Sequence, residues 1–293
     1  MSTAVASPAA RALLENRSLE MTARDAEAIA GAARSIAAGT RVNLTFLAQE
    51  TLDQRVRAAQ SILDAGLVPV PHLAARRLAS EQDLRDYLES LEGIGAHREV
   101  FVVGGDPSRP EGPYPDALSV IRSGLLEAHG VEVAGIAGYP EGHPAIEDAV
   151  LRRALADKLS ALGEQGLRTS VTSQFSFDPS RVSRWLGELR ADGIDVPVRV
   201  GTPGPTGIKR LLGFARRMGI GANATMVKKY GLSLSSLIGN STPELFIEST
   251  AEALRETPTG DVALHIYTFG GLEAAAEWLA EYSGSSVRTE DVR

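Results

Sequence analysis

VFVVGGD, Val100 to Asp106, and VAGIAGYPEGHP, Val133 to Pro144, decide the reading of this chain. Each carries a short run rich in branched apolar residues that gives way, at Gly or Pro, to polar chemistry. A strand buried on both faces of a parallel sheet reads this way. The residues that follow each run therefore belong at a strand's C-terminal end. In a (βα)8 barrel that end is the face that carries active sites, which makes Asp106, Tyr139, Glu141 and His143 candidates for one shared pocket.

Working outward from these runs, the chain alternates strand and helix signals without a linker. Strands are expected at Ser18–Met21, Arg41–Leu47, Leu67–Leu73, Glu99–Val103, Val133–Ala137, Thr169–Phe175, Pro197–Val200 and Val262–Thr268. Between them, Leu52, Val56, Ala59 and Leu63 recur at helical spacing, as do Val182, Leu186 and Leu189 with Trp185. Ser80 precedes one helix, and Asp178-Pro179 opens another with a cap and a first-turn proline. Such regular alternation implies a parallel sheet, and eight units favour a closed single-domain (βα)8 TIM barrel spanning residues 18–293. The stretch near residues 218–240 is longer than a simple unit needs and is expected to add a helical insertion. Residues 1–17, Ala/Ser-rich at the start and without the apolar core of a signal peptide, read as a frayed lead-in.

Composition narrows the function classes. The 293 residues suffice for a large core, 43% are hydrophobic, and no apolar run is long enough to span a bilayer, so a soluble protein without a membrane partner is expected. A net charge of -7 argues against nucleic acid as a partner. The absence of cysteine removes disulfides, thiolate nucleophiles and Cys-ligated metal centres, and makes a cytoplasmic setting the simplest expectation. The five histidines show no metal-ligand spacing, so no metal is expected. GTPGPTG (Gly201 to Gly207) lacks both the Walker ending and the dinucleotide fingerprint, and no GxSxG elbow occurs.

What remains is a series of polar residues at strand ends. Glu20 ends the first strand, Thr45 lies in the second, His72 closes the third, Asp106 follows the fourth, Tyr139 to His143 follow the fifth, Gln174 ends the sixth, and Tyr267 ends the eighth. A barrel aims all of them at one pocket. Singly, each also has a plain explanation: Glu20 as a helix cap, Asp106 as a turn cap, His72 as a hydrogen-bonded rim residue, Gly104-Gly105 as a tight turn.

The series resembles the methylenetetrahydrofolate reductase family from about Ser18 to Tyr282. SLEM is similar to the family's first strand and implies that Glu20 is the catalytic glutamate. VNLTF and VPVPHL resemble the second and third strands, implying flavin contacts at Thr45 and His72. VVGGD matches a motif ending in Gly-Asp, which implies Asp106 as the active-site aspartate and Gly105 beside the cofactor. AGYPEGHP is nearly the family's Tyr-Pro-Glu-x-His-Pro, implying cofactor contacts at Tyr139 and His143. TSQFSFD and LHIYT imply substrate contacts at Gln174 and Tyr267. By this resemblance the chain is an oxidoreductase that reduces 5,10-methylenetetrahydrofolate to 5-methyltetrahydrofolate, or runs the reverse, in one-carbon metabolism and methionine biosynthesis, using FAD and NAD(P)H.

The chain also departs from the family pattern. Gly104 stands where the family has an arginine, the helix after YPEGHP offers only Lys158 for the flavin diphosphate, Ile208 replaces a stacking aromatic, and Gly271 replaces an arginine. These losses imply FAD held more weakly than is usual in the family. They leave open a flavin- or nicotinamide-dependent oxidoreductase on another pterin, and a folate-binding subunit without catalysis. The chemistry suits Glu20 and Asp106: opening the imidazolidine ring needs an acid at the departing nitrogen, and the resulting iminium needs a nearby anion. Gln174 can donate to and accept from a pterin edge. No motif selects NADH over NADPH, and the oligomeric state is left open, a homo-oligomer included.

Overall fold

The computed structural model describes residues 5–207, 210–213, 243–255 and 260–284. Within them eight parallel strands close into a barrel in chain order: β1 (Ser18–Met21), β2 (Arg41–Leu44), β3 (Val68–Ala74), β4 (Glu99–Val103), β5 (Val133–Gly138), β6 (Arg168–Ser173), β7 (Val198–Pro203) and β8 (Val262–Tyr267). β8 returns to β1 through the pairs Ser18↔His265 and Leu19↔Ile266. All eight expected strands are present. Their ends shift slightly, with β2 stopping at Leu44 and β7 running on to Pro203.

The helices of the described residues are α1 (Pro8–Glu15), α2 (Ile29–Ala32), α3 (Leu52–Asp64), α4 (Glu81–Gly93), α5 (Ala117–Ile121), α6 (Leu125–Ala128), α7 (Asp148–Glu164), α8 (Pro179–Ala191), α9 (Glu244–Leu254) and α10 (Leu272–Ser283). Their starts are written in the sequence. Thr51 and Gln54 form a reciprocal capping box on α3, the Ser80 side chain accepts from Asp83 N at the head of α4, and Asp178 caps α8 ahead of Pro179. On α3 the buried face is Arg55, Ala58, Ala59 and Ile62, rotated from the expected stripe. The reason is Arg55, whose guanidinium lies 3.8 Å from the Phe46 ring centroid and so takes a buried position.

The pleat sorts each strand into two chemistries. Leu19, Met21, Val42, Leu44, Leu73, Val100, Val102, Ile136, Val171, Val198, Val200, Leu264 and Ile266 are buried in the hydrophobic core. Strand alternation sends these outward against the helices and turns Ser18, Glu20, Asn43, His72, Thr172, Arg199, His265 and Tyr267 inward. The interior of this barrel is thus unusually polar, where branched aliphatic layers are the common filling.

One expectation changes. Residues 8–15 are not frayed: Ser7 caps α1, Ala10, Leu13 and Leu14 are buried, and the helix packs on α9 and β8. Hydrogen bonds from Ala6 N to Tyr282 O and from Ser7 N to Glu248 Oε1 fix its start. The apolar i, i+3, i+4 spacing of Ala10, Leu13 and Leu14 supplies the buried stripe. The helical insertion expected near residues 218–240 lies outside the described residues, as does Ile208.

Candidate active site in the barrel mouth

The centre of the site is where β8 meets β1. Glu20 sits in a strand, so the pleat fixes its direction; its side chain is 18% exposed, with Oε2 3.8 Å from His265 Nε2. The other ring nitrogen of His265 bonds Ser18 Oγ at 2.8 Å, and the ring meets Tyr267 edge-on at 4.7 Å between centroids. Tyr267 donates its hydroxyl to Ser173 O at 3.0 Å, tying β8 to β6 across β7. Burial first, then the nearby Glu20 and Tyr139, push the Tyr267 phenol well above its ordinary pKa, so it remains protonated. Glu20 is not the helix cap of the plain reading. Thr22 fills that role, in a reciprocal box with Asp25.

His72 faces the same interior. Its Nε2 lies 3.3 Å from Asn43 Nδ2, and its ring packs 4.8 Å from that of Phe101. Burial lowers its pKa to about 4, against the pull of Glu20 and with a smaller push from His265. His72 is therefore neutral at pH 7, able to accept from Asn43.

Around the mouth stand Thr45, Gln174, Tyr139 and His143. Thr45 lies one residue beyond β2, and its hydroxyl is buried without a partner among the described residues. A buried hydroxyl of this kind calls for a hydrogen-bond partner beyond those residues. Gln174 Oε1 accepts from Phe175 N at 3.0 Å, which leaves its side-chain nitrogen for a ligand. The Tyr139 and His143 rings meet edge-on at 5.6 Å, and His143 Nδ1 accepts from Ala145 N at 3.2 Å. Burial raises the Tyr139 pKa and lowers that of His143. Glu141 is a brace: its Oε1 accepts from Ser176 Oγ at 2.6 Å and from Phe177 N at 3.0 Å, joining the loops after β5 and β6.

Asp106 and Gly105 stand apart from this group. Asp106 lies beyond the end of β4, on a loop turned by Gly105 at φ +88°. Its carboxylate is 79% exposed and held by Arg77, with Nε at 2.8 Å and a terminal nitrogen at 2.5 Å. Gly105 shapes that turn, with Ala74, Pro107 and Arg76 close around it. Lys158 lies well down α7 and lines a groove of about 720 Å³ between α7 and α8, together with Leu155 and Trp185, that reaches Tyr139 and Glu141 after β5. Burial lowers its pKa, against the attraction of Asp116.

That placement bears on the FAD that the family resemblance implies. A dinucleotide brings a diphosphate, which needs cations or free backbone N–H groups. At the end of β4 the position of the family's arginine is Gly104, with open space beside it. Of the neighbouring arginines, Arg76 bonds the carbonyls of Pro115 and Pro107, and Arg77 is bound to Asp106. The first turn of α7 is acidic, with Asp148 following Glu147. The end of β4 thus offers a diphosphate no uncommitted arginine among the described residues, whereas the groove beside Tyr139 and Gly142 is lined by Arg152, Arg153, Lys158, Arg181 and Arg184.

His265, Asn43 and Ser18 were missed as site residues. Parity was the available signal: His265 stands two before Tyr267 and Ser18 two before Glu20, so each shares the inward face of a residue already singled out.

Comparison with known proteins agrees with this architecture. The family model for methylenetetrahydrofolate reductase matches residues 22–281, beginning just after β1. Methylenetetrahydrofolate reductase 2 of Saccharomyces cerevisiae is 29% identical over 173 residues, which cover 55% of this chain but only 27% of the yeast protein. Among solved structures, an uncharacterized protein from Clostridium thermocellum that binds two copies of 5-methyl-5,6,7,8-tetrahydrofolic acid superposes with a TM-score of 0.58 at 11% identity, covering 93% of this chain and 97% of that one. Dihydropteroate synthase from Thermus thermophilus gives 0.49 at 16% identity, covering 94% and 96%.

Proposed function

Since the chain belongs to the methylenetetrahydrofolate reductase family, we propose that it interconverts 5,10-methylenetetrahydrofolate and 5-methyltetrahydrofolate in the barrel mouth. The observation that carries this reading is Glu20: a strand-fixed carboxyl group inside the barrel, beside His265, under a rim that holds Gln174 and the Thr45 hydroxyl, unpartnered among the described residues. The folate bound by the Clostridium thermocellum protein supports the same ligand class.

In the reducing direction Glu20 donates a proton to N10 as the bond from N10 to the methylene carbon breaks. That leaves an N5 iminium, and a hydride delivered to its carbon completes the methyl group. Once it has lost its proton, Glu20 is itself the anion that faces the cation. The neutral His72 adds no positive charge beside the iminium. Gln174, with one oxygen lone pair committed to Phe175 N, meets the pterin through its NH2 group. Tyr267, locked to Ser173 O, is a wall rather than a proton donor.

The hydride must come from a cofactor or cosubstrate, because no side chain supplies one. Gly104 in place of the family's arginine motivates a second reading, in which reduced nicotinamide, NADH or NADPH, binds transiently as a cosubstrate without a resident flavin. The purified protein, shown by its visible spectrum to be free of flavin, is mixed anaerobically with NADH or NADPH and methylenetetrahydrofolate. Stoichiometric 5-methyltetrahydrofolate is expected. Methyl formation only after FAD is added would restore the flavin as carrier. No product under either condition, with folate still bound, would reduce the chain to a folate-binding subunit.

A further inference from the structure

The barrel is also hollow at its other end. A cavity of about 500 Å³ rises from the N-terminal ends of the strands to Asn43 and Phe101. It exists because small residues stand where a barrel usually packs branched ones. Gly135 and Ser170 face each other in register, and a Cβ on Gly135 would come within 2.7 Å of Phe101 Cδ2.

The walls carry three arginines, Arg41, Arg168 and Arg199, against two carboxylates, Glu99 and Asp261. Arg199, 9% exposed, pairs in register with Thr172, and both line the cavity. The neighbouring arginines are matched: Arg41 is held by both oxygens of Glu99 at 2.6 and 3.0 Å, and Arg168 by Glu132 at 3.1 Å. Among the described residues Arg199 has one contact of this kind, to Asp261 at 3.4 Å, and that carboxylate is half exposed. A guanidinium carries five N–H donors in a planar fork, so most of this one is unused. Among the described residues the Ser170 and Thr172 hydroxyls make no side-chain hydrogen bond to protein, and both border the same space. Burial lowers the pKa of Arg199, with Asp261 opposing, which marks a charge whose solvation the protein has not fully replaced.

We propose that this floor cavity binds a small oxyanion, gripped by the Arg199 guanidinium and by the Thr172 and Ser170 hydroxyls. The site is separate from the mouth and does not depend on the reductase reading. Asn43 forms part of its ceiling and bonds His72 above, so an occupant sits one contact below the mouth.

Inorganic phosphate is the first probe. The thermal midpoint of the whole chain should rise saturably with sodium phosphate relative to sodium chloride of equal ionic strength, and titration calorimetry should give one site. Arg199→Gln should weaken that affinity at least tenfold. Thr172→Val, which leaves every charge in place, should weaken it several-fold and serves if the arginine variant folds poorly. Gln174→Ala at the mouth should leave it unchanged. Acetate tests the planar form of the same chemistry, and saturable, Arg199-dependent binding of either anion supports the proposal. The proposal falls if neither anion binds, if both floor variants bind like the parent, or if Gln174→Ala abolishes binding and thereby locates the ion in the mouth.

Discussion

Two carboxylates were expected to work together, and the structure treats them oppositely. Glu20 lies within β1, where pleat and register point it at the barrel interior beside His265, and it is 18% exposed. Asp106 lies past the end of β4, on a loop turned by Gly105, and it is 79% exposed in an ion pair with Arg77. The resemblance gives both residues equal standing, yet only one has its direction imposed by backbone geometry. A strand dictates where a side chain points, whereas a loop lets a nearby cation decide.

The largest expected effect tests the interior half of this comparison. Glu20→Gln keeps the size and polarity of the side chain and removes the acid. Methyl formation should fall by roughly two to four orders of magnitude, the usual range for general acid–base catalysis, while folate affinity is kept. Because Thr22 rather than Glu20 caps the following turn, the thermal midpoint should move little. Single-turnover rate, folate affinity and midpoint measured on one preparation decide the matter, and near-parental turnover would remove Glu20 from the chemistry.

The same contrast explains what could be read from the chain. All eight strands were legible, because apolar runs such as VFVV and VAGIA are closed by Gly or Pro, and the caps Ser80 and Asp178 were legible as local chemistry. Inward residues on strands, Glu20, His72 and Tyr267, were correctly aimed. Asp106 was not, since its partner Arg77 lies 29 positions away in the loop after β3 and nothing local announces the pair. The place of Lys158 was not legible, because spacing in a family motif does not say on which side of α7 a residue falls; here it faces the groove shared with α8 and with Tyr139. His265 and the polar floor were hidden because their strands, HIY and VRVG, read as ordinary buried runs until the register is known.

A second, smaller effect uses pH on the buried side. His72 titrates at about 4 in the folded protein, against an ordinary value of 6.5, because burial disfavours its charged form. Between those values the unfolded chain binds the proton and the folded protein does not. The contribution of neutral His72 is therefore complete above pH 6.5 and is lost as the pH falls toward 4, on the order of 3 kcal/mol in all. Urea midpoints from pH 7.5 to 4.5 should fall more steeply for the parent than for His72→Asn, which cannot charge. Parallel curves would mean that the ring is already solvated in the folded protein, and the barrel interior would lose its claim to be dry.

The smallest effect belongs to the exposed side. If Asp106 stays where Arg77 holds it, Asp106→Asn removes a surface ion pair, and such pairs contribute about 1 kcal/mol or less. Turnover should then change by no more than a few-fold, and Arg77→Gln should behave the same way. The alternative is that bound folate draws the loop inward and exchanges the Arg77 contact for the iminium. In that event Asp106→Asn would slow methyl formation by a hundredfold or more, whereas Arg77→Gln, which frees the carboxylate, would leave the rate unchanged or raise it. The two variants move together if the pair is only a rim contact and move apart if Asp106 is recruited. Their ratio of single-turnover rates therefore tests whether the two carboxylates ever meet at one substrate.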